Sequence, residues 1–347
     1  MKIKNKNLGK DHPCFIIAEA GVNHNGKLEN AYKLVDIAKE AGADAVKFQL
    51  YRIEEQISKI ATNAPYQRKG SGKKSMTEMA KEYDLAWEEH INIKNYCDQK
   101  KIIYMSSCFD KLAVDFFVND LRGDCIKVGS GEITNYPLLE HMSKTGKLII
   151  LSTGMCNLEE VKIAINKIGL AGESKIILLH CISSYPALEK DINLKSMQTL
   201  ANVFQLPVGY SDHSINNTAA IAAIAMGACI IEKHFTIDQK LPGPDHQMSL
   251  NPDELKNLIN SIRSTELLLG DGIKKPTESE EEMKIYSRRG IVSLKKIKSG
   301  EIINSNNVGL KRPATGIDAG KINEIYGKKA KIEIENDIPI SWKMLEK

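Results

Sequence analysis

The chain reads as a (β/α)8 barrel followed by a small second domain, and three observations predict it. Eight short apolar or β-branched runs recur between residues 15 and 234. Amphipathic or small-residue stretches of helical length separate them. From Ser287 onward the texture changes to short alternating runs and Gly-containing turns. Strand–helix alternation predicts parallel strands with crossover helices, and eight such units close a barrel. A doubly wound open sheet is the structural alternative, but it rarely needs eight evenly spaced units.

Taken in order, the predicted strands are 15–18, 45–49, 102–107, 125–128, 148–152, 176–180, 207–210 and 229–234. Amphipathic helices are predicted over 30–41, 85–99, 158–168 and 194–204, and a small-residue helix over 219–226. The stretch 51–83 is long and polar, with Lys-Gly-Ser-Gly-Lys-Lys at 69–74, and reads as an extended loop after the second strand. The last barrel helix is expected over 252–269, stopped by Gly270-Asp271-Gly272. Three segments follow from this: a barrel over 1–270, a charged, Pro-containing linker over 271–286, and a compact domain over 287–347. A domain of that size is marginal alone. It is expected to dock onto a barrel, in its own chain or a partner's.

Bulk properties exclude several classes. Hydrophobic content is 42%, charged content 27%, and the net charge of +4 is small and dispersed over 347 residues. That balance gives no case for nucleic acid or an anionic membrane. The richest apolar run, 219–231, is too short to span a bilayer. The basic start, Met1 to Lys6, lacks the apolar core of a signal peptide. The seven cysteines are scattered without a CxxC, which fits reduced thiols in a cytoplasmic protein.

Chemistry in such barrels sits at the C-terminal ends of the strands. Read in order, those ends give Glu19; Lys47 and Gln49; Ser106 and Ser107; Lys127 with Ser130 and Glu132; Ser152; His180, Ser183 and Tyr185; Ser211 and Asp212; Glu232 and His234. His213 lies just beyond the seventh strand. Two histidines at adjacent strand ends suggest a divalent metal with open positions for substrate. Two lysines, several hydroxyls and a Gly-Ser-Gly turn suggest an anion pocket for phosphate. The class is metal-assisted chemistry joining a small phosphate-bearing substrate to a carbonyl.

Each element also has a plainer reading. A lone strand-end histidine is commonly a hydrogen-bonded structural residue, and His180 is read that way. Lys47 and Lys127 lie within apolar strands, where an unpaired charge is costly, so solvated lysines do not explain them. The Gly-rich turns after strands one and four could be tight turns only. Asn23 and His24 could cap a helix. Asp212 could orient His213 or cap the next helix.

With these residues in place, the chain resembles the sialic acid synthases (N-acetylneuraminate, or nonulosonate, synthases). The motifs are 18–26 (AEAGVNHNG), 46–49 (VKFQ), 127–132 (KVGSGE), 151–155 (LSTGM), 209–213 (GYSDH), 232–236 (EKHFT) and 243–246 (GPDH). Lys311-Arg312-Pro313 matches an antifreeze-like (SAF, β-clip type) domain. The resemblance covers nearly the whole chain in the family's order. It departs at Ser106-Ser107-Cys108-Phe109, where the family has Ser-Thr-Pro-Phe, and at Ser183, where Asn or Thr is usual.

The resemblance implies condensation of phosphoenolpyruvate with an open-chain N-acetylmannosamine-type sugar, giving a nine-carbon α-keto acid and phosphate. His213 and His234 would bind Mn²⁺ or Mg²⁺. Lys47, Ser107, Lys127, Ser130, Ser183 and Ser211 would surround phosphoenolpyruvate. Glu19, with Lys47 and Lys127, would serve catalysis, and Glu19 would lie beside the developing oxocarbenium. Gln49, Glu132, Tyr185 and Asp245 would hold the sugar. Arg312 would reach its N-acyl group from the other subunit of a homodimer with exchanged antifreeze-like domains.

Three alternatives stand beside this reading. One is N,N'-diacetyllegionaminate synthesis from 2,4-diacetamido-2,4,6-trideoxymannose. Another is a Schiff-base aldolase using Lys47, Lys127 or Lys233. The third is a non-enzymatic binder of ice or polysaccharide.

Overall fold

In the computed structural model, residues 1–9, 12–58, 60–63 and 75–346 are described. Contacts divide the chain into two units, Met1–Gly270 and Asp271–Lys347.

The first unit is a closed barrel of eight parallel strands. They are β1 (Phe15–Glu19), β2 (Ala45–Leu50), β3 (Ile103–Cys108), β4 (Cys125–Val128), β5 (Leu148–Ser152), β6 (Ile176–Cys181), β7 (Val208–Asp212) and β8 (Ile230–His234). β8 closes on β1 in a register that pairs Ile230 with Phe15 and His234 with Glu19. The outer ring is α1 (Leu28–Ala41), α2 (Trp87–Lys100), α3 (Lys111–Asn119), α4 (Tyr136–Lys144), α5 (Leu158–Ala171), α6 (Lys195–Phe204), α7 (Thr218–Ala225) and α8 (Pro252–Leu269).

Local signals explain the helices. Asn251 caps α8 through Glu254 N–H, Pro252 opens it, and Leu255, Leu258, Ile259 and Ile262 make its buried face. Gly42 ends α1 in the left-handed region at φ 91°. α3 and α4 were not expected from periodicity, yet both form. Asp110 caps α3 by accepting Ala113 N–H at 2.7 Å, and Pro137 opens α4.

Two apolar layers sandwich the barrel wall. Outward residues such as Ile16, Val46, Tyr104, Ile126 and Ile231 pack on the helices. Inward residues such as Phe15, Ile17, Met105, Ile150 and Leu179 fill the lower barrel. Ile3 and Leu8 belong to that inner cluster, so the N-terminal hairpin of Lys2–Ile3 and Lys6–Asn7 stoppers this end.

Within 51–83, expected to be loop, short helices form at Ile53–Gln56 and Met76–Glu82. Ser75 and Glu78 cap the second reciprocally. The basic run 69–74 lies outside the described residues.

In the second unit, the stretch read as linker contains helix α9 (Glu278–Ser287), capped by Thr277. Strands β9 (Gly290–Ser293) and β10 (Val308–Lys311) pair antiparallel. The run 298–303 makes one isolated bridge, Ile302 to Lys329, in place of the alternating strand expected there. Ile291, Ile297, Ile303, Ile325 and Ile340 are among its fully buried core.

Candidate active site

The strand period of two puts polar groups inward at the barrel mouth. Glu19 follows Ile17, Lys47 follows Ala45, Ser107 follows Met105, Ser152 follows Ile150, and Cys181 follows Leu179 on the same inner rows. The apolar rows thus give way to chemistry at the C-terminal ends. Register aligns Glu19 with Lys47, Ser107 with Lys127, and Ser211 with Glu232.

Two lysines and two glutamates form the centre. Lys47 Nζ lies 2.5 Å from Glu19 Oε2 and 3.6 Å from Glu232 Oε2. Lys127 Nζ lies 3.6 Å from Glu232 Oε1. Lys47 donates to Ser107 Oγ at 2.9 Å, and Lys127 to Ser152 Oγ at 2.7 Å. Ser211 Oγ donates to Glu232 Oε1 at 2.9 Å. All four charged groups are buried.

Burial and charge set their protonation in opposite directions. Burial pushes the Glu19 carboxyl up to about 7, against the pull of Lys47. Burial acts the same way on Glu232, but Lys127 and Lys47 outweigh it and hold its carboxyl down at about 2. Burial lowers Lys47, while Glu19 and Glu232 more than restore it, so its ammonium is held above the usual range. Burial lowers Lys127, only partly offset by Glu232. One carboxyl is therefore poised near neutrality beside one that is firmly ionised.

The histidines emerge beside this cluster. The His213 and His234 ring centroids are 5.6 Å apart, and Tyr185 packs 4.2 Å from the His213 ring. His213 Nδ1 lies 2.7 Å from Ile182 O, which assigns its proton there and leaves Nε2 as a lone-pair donor. His234 Nδ1 is buried without a hydrogen-bond partner. Burial lowers both imidazoles below their usual range, so both are neutral. Neutral, converging, incompletely satisfied imidazoles fit a divalent metal. Among the described residues no group of three or more His, Cys, Asp or Glu could hold one.

A cavity of about 400 Å³ opens over these groups. It is lined by the expected Glu19, Lys47, Gln49, Ser107, Lys127, Ser130, Ser183, Tyr185, Ser211, His213, His234 and Asp245. Burial raises Asp245 to about 6. Ser130 Oγ accepts Gly154 N–H at 2.9 Å and lies 3.1 Å from Cys181 Sγ. Glu132 is not in the lining; its carboxylate accepts Asn135 Nδ2 at 2.7 Å. Arg312 belongs to the second unit, directly after β10, and is exposed.

Residues weighed as structural sort clearly. Asn23 Nδ2 donates to Phe235 O and Ser249 Oγ, and His24 Nδ1 accepts Gly26 N–H, so neither caps a helix. His180 Nε2 meets Ile192 O at 2.7 Å. Asp212 orients no histidine and caps no helix; it pairs with buried Lys233 at 2.8 Å, on the outward face. Ser152 and Glu232, read at the strand ends without a binding assignment, line the cavity, and so does Cys181, which was not singled out. The period of two, carried one step further along β6, points to Cys181. Ile57, Met76 and Met79 also line it, and no periodic signal marked them.

The sequence matches the NeuB family model over residues 34–274 and the SAF domain model over residues 288–346. It is 43% identical over 346 residues to N,N'-diacetyllegionaminic acid synthase of Legionella pneumophila, covering 98% of this chain and 97% of that protein. It is 45% identical over 325 residues to N,N'-diacetyllegionaminic acid synthase of Campylobacter jejuni, covering 93% and 97%. The crystal structure of N-acetylneuraminic acid (sialic acid) synthetase from Leptospira borgpetersenii in complex with citrate is similar with a TM-score of 0.72 and 35% identity, covering 82% of this chain and 94% of that one.

Proposed function

Because this chain belongs to the NeuB family, with a SAF domain at its C-terminal end, we propose that its barrel mouth condenses phosphoenolpyruvate with an open-chain N-acetylmannosamine-type sugar. The products are a nine-carbon α-keto acid and phosphate. It is a transferase-type sugar-acid synthase. The observation that carries the site assignment is the buried Lys47–Glu19 and Lys127–Glu232 cluster under the two histidines.

Lys47 and Lys127 supply the positive charge for a multiply anionic substrate, with Ser107, Ser130, Ser183 and Ser211 as directed hydroxyl donors. A Mn²⁺ or Mg²⁺ ion held by His213 and His234 would polarise the sugar aldehyde as a Lewis acid. Gln49, Tyr185 and Asp245 line the same cavity and hold the sugar, so that its aldehyde carbon meets C3 of phosphoenolpyruvate. As the new C–C bond forms, positive charge develops at C2, and the Glu19 carboxylate lies within the cluster to stabilise it. Water then adds at C2 and gives one proton to Glu19, which passes it to the former aldehyde oxygen. The bond from C2 to the phosphorus-bearing oxygen breaks as the C2 hydroxyl becomes the ketone, and its proton leaves with the phosphate. A carboxyl near 7 suits that exchange. We assign Arg312 to the sugar's N-acyl group across a homodimer.

The two legionaminate-synthase relatives favour a second acceptor, 2,4-diacetamido-2,4,6-trideoxymannose. The experiment is phosphate release from phosphoenolpyruvate with each sugar and Mn²⁺. Release with at least one supports the synthase; no release with either overturns it. A Schiff-base aldolase would instead be trapped by borohydride with pyruvate and would work in chelator.

A further inference from the structure

Part of the cavity wall is apolar, and much of it comes from one stretch of chain, with Val22, Phe109, Met155 and Pro244 added from elsewhere. Ile57, Met76, Met79 and Ala80 line the cavity, all supplied by the segment that follows β2. The same stretch adds Tyr51, Gln56 and Tyr83, which are polar but uncharged. Among the described residues, the cationic side chains lining the cavity are Lys47 and Lys127, and both belong to barrel strands.

This wall is seated by packing. Tyr51, Ile53 and Ala80 form their own buried cluster, with Ile57 and Phe109 against it. Tyr51 and Phe109 meet edge to face at 6.2 Å. Met79 is 7% exposed and Ala80 8%. At the far end of the helix Met76–Glu82, a Cβ on Gly26 would stand 2.5 Å from Glu82 O. The helix therefore rests directly on the loop after β1, with no space between.

The chemistry at the strand ends fixes which end of the acceptor meets this wall. On the reading given under Proposed function, the aldehyde must sit by His213 and His234, deep at the strand ends. The opposite end of an open-chain hexose then reaches outward, beyond the strands, where Ile57, Met76 and Met79 line the cavity. A phosphate against Ile57, Met76 and Met79 would meet apolar side chains. A hydroxyl would exchange water for thioether and aliphatic carbon, with Gln56 as the nearby amide. A methyl group would be buried favourably.

We propose that Ile57, Met76 and Met79 form a specificity wall that selects the acceptor by its distal end. It favours a 6-deoxy hexose over one that keeps the 6-hydroxyl or carries a 6-phosphate. Apolar walls discriminate modestly, so the expected preference is roughly ten- to a hundredfold in kcat/KM.

The test uses the full chain with Mn²⁺ and saturating phosphoenolpyruvate. It compares kcat/KM for 2,4-diacetamido-2,4,6-trideoxymannose, N-acetylmannosamine and N-acetylmannosamine 6-phosphate, in the wild type and in Met76→Gln and Met79→Gln. The wild type should prefer the trideoxy sugar, and each substitution should shrink the ratio by about tenfold. Met76 is only half-buried, so Met76→Gln guards against loss of fold at the more buried Met79. Equal use of the first two sugars, a preference for the phosphorylated one, or an unchanged ratio in both folded variants overturns the wall while leaving the synthase intact. No release with any sugar overturns the synthase, and this inference with it.

Discussion

The Glu19 carboxylate and the Lys47 ammonium are register partners on neighbouring strands and meet at 2.5 Å with both groups buried. Neither charge was placed there by the core; each is tolerated because the other is present. Glu19→Gln keeps the shape and removes the proton acceptor. It should lower kcat by about 10²- to 10⁴-fold while leaving the KM for phosphoenolpyruvate within a few-fold. Steady-state phosphate release measures both.

The same carboxyl makes stability depend on pH. Burial raises Glu19 from 4.5 to about 7, so the folded chain holds that proton more tightly than the unfolded chain. Its favourable contribution is complete below pH 4.5 and is lost as pH rises toward 7. Glu232 runs the other way: held down at about 2, it stabilises above its ordinary 4.5 and loses that effect as pH falls toward 2. Melting curves of the metal-free chain should show a decline attributable to Glu19 as pH rises from 4.5 to about 7. In Glu19→Gln that decline should flatten; an unchanged profile would contradict the assignment.

Metal binding should depend on both imidazoles. His213→Ala and His234→Ala should each weaken Mn²⁺ affinity by at least about 10-fold, and the double variant should retain no stoichiometric Mn²⁺ after dialysis. Electron paramagnetic resonance of free Mn²⁺ reads this without any assay of turnover. Full activity of the double variant in chelator would refute the metal site.

Gly154 tests the anion pocket by bulk. A Cβ there would stand 2.3 Å from Ser183 Oγ and 2.9 Å from both Cys181 Sγ and Ser130 Oγ. Gly154→Ala must push these hydroxyls aside, at a cost of about 1–3 kcal/mol. The KM for phosphoenolpyruvate should rise about 5- to 100-fold, with a much smaller change for the sugar.

The outward pair Asp212–Lys233 predicts a stability effect instead. Asp212→Ala would strand a buried ammonium that Asp212 now meets at 2.8 Å. Urea denaturation should show a loss of about 3–5 kcal/mol. A loss below 1 kcal/mol would mean that the Ser214 and Asn216 carbonyls suffice to hold Lys233.

The barrel was legible because each strand is a short apolar run, and the ends of β4 and β5 were found to the residue. The wall position of Lys47 and Lys127 followed from the same pattern. α3 and α4 were not singled out; Lys111–Asn119 and Tyr136–Lys144 are nine residues each, and the local signals that mark their starts are the Asp110 cap and Pro137. Asp212 was ambiguous because sequence shows its neighbour His213 but not Lys233, which reaches it from the adjacent strand. The wall of Ile57, Met76 and Met79 was hidden for the same reason. Ile57 directly follows one short helix, Met76 and Met79 lie in another, and they meet only in space.

The hairpin that brings Ile3 and Leu8 into the lower barrel turns the enzyme into a vessel with one door. Traffic then has to queue. On the proposed assignment, the reactant held by Lys47 and Lys127 would enter first, because a sugar held at Gln49 and Asp245 would stand in its path. Going out, the order would reverse.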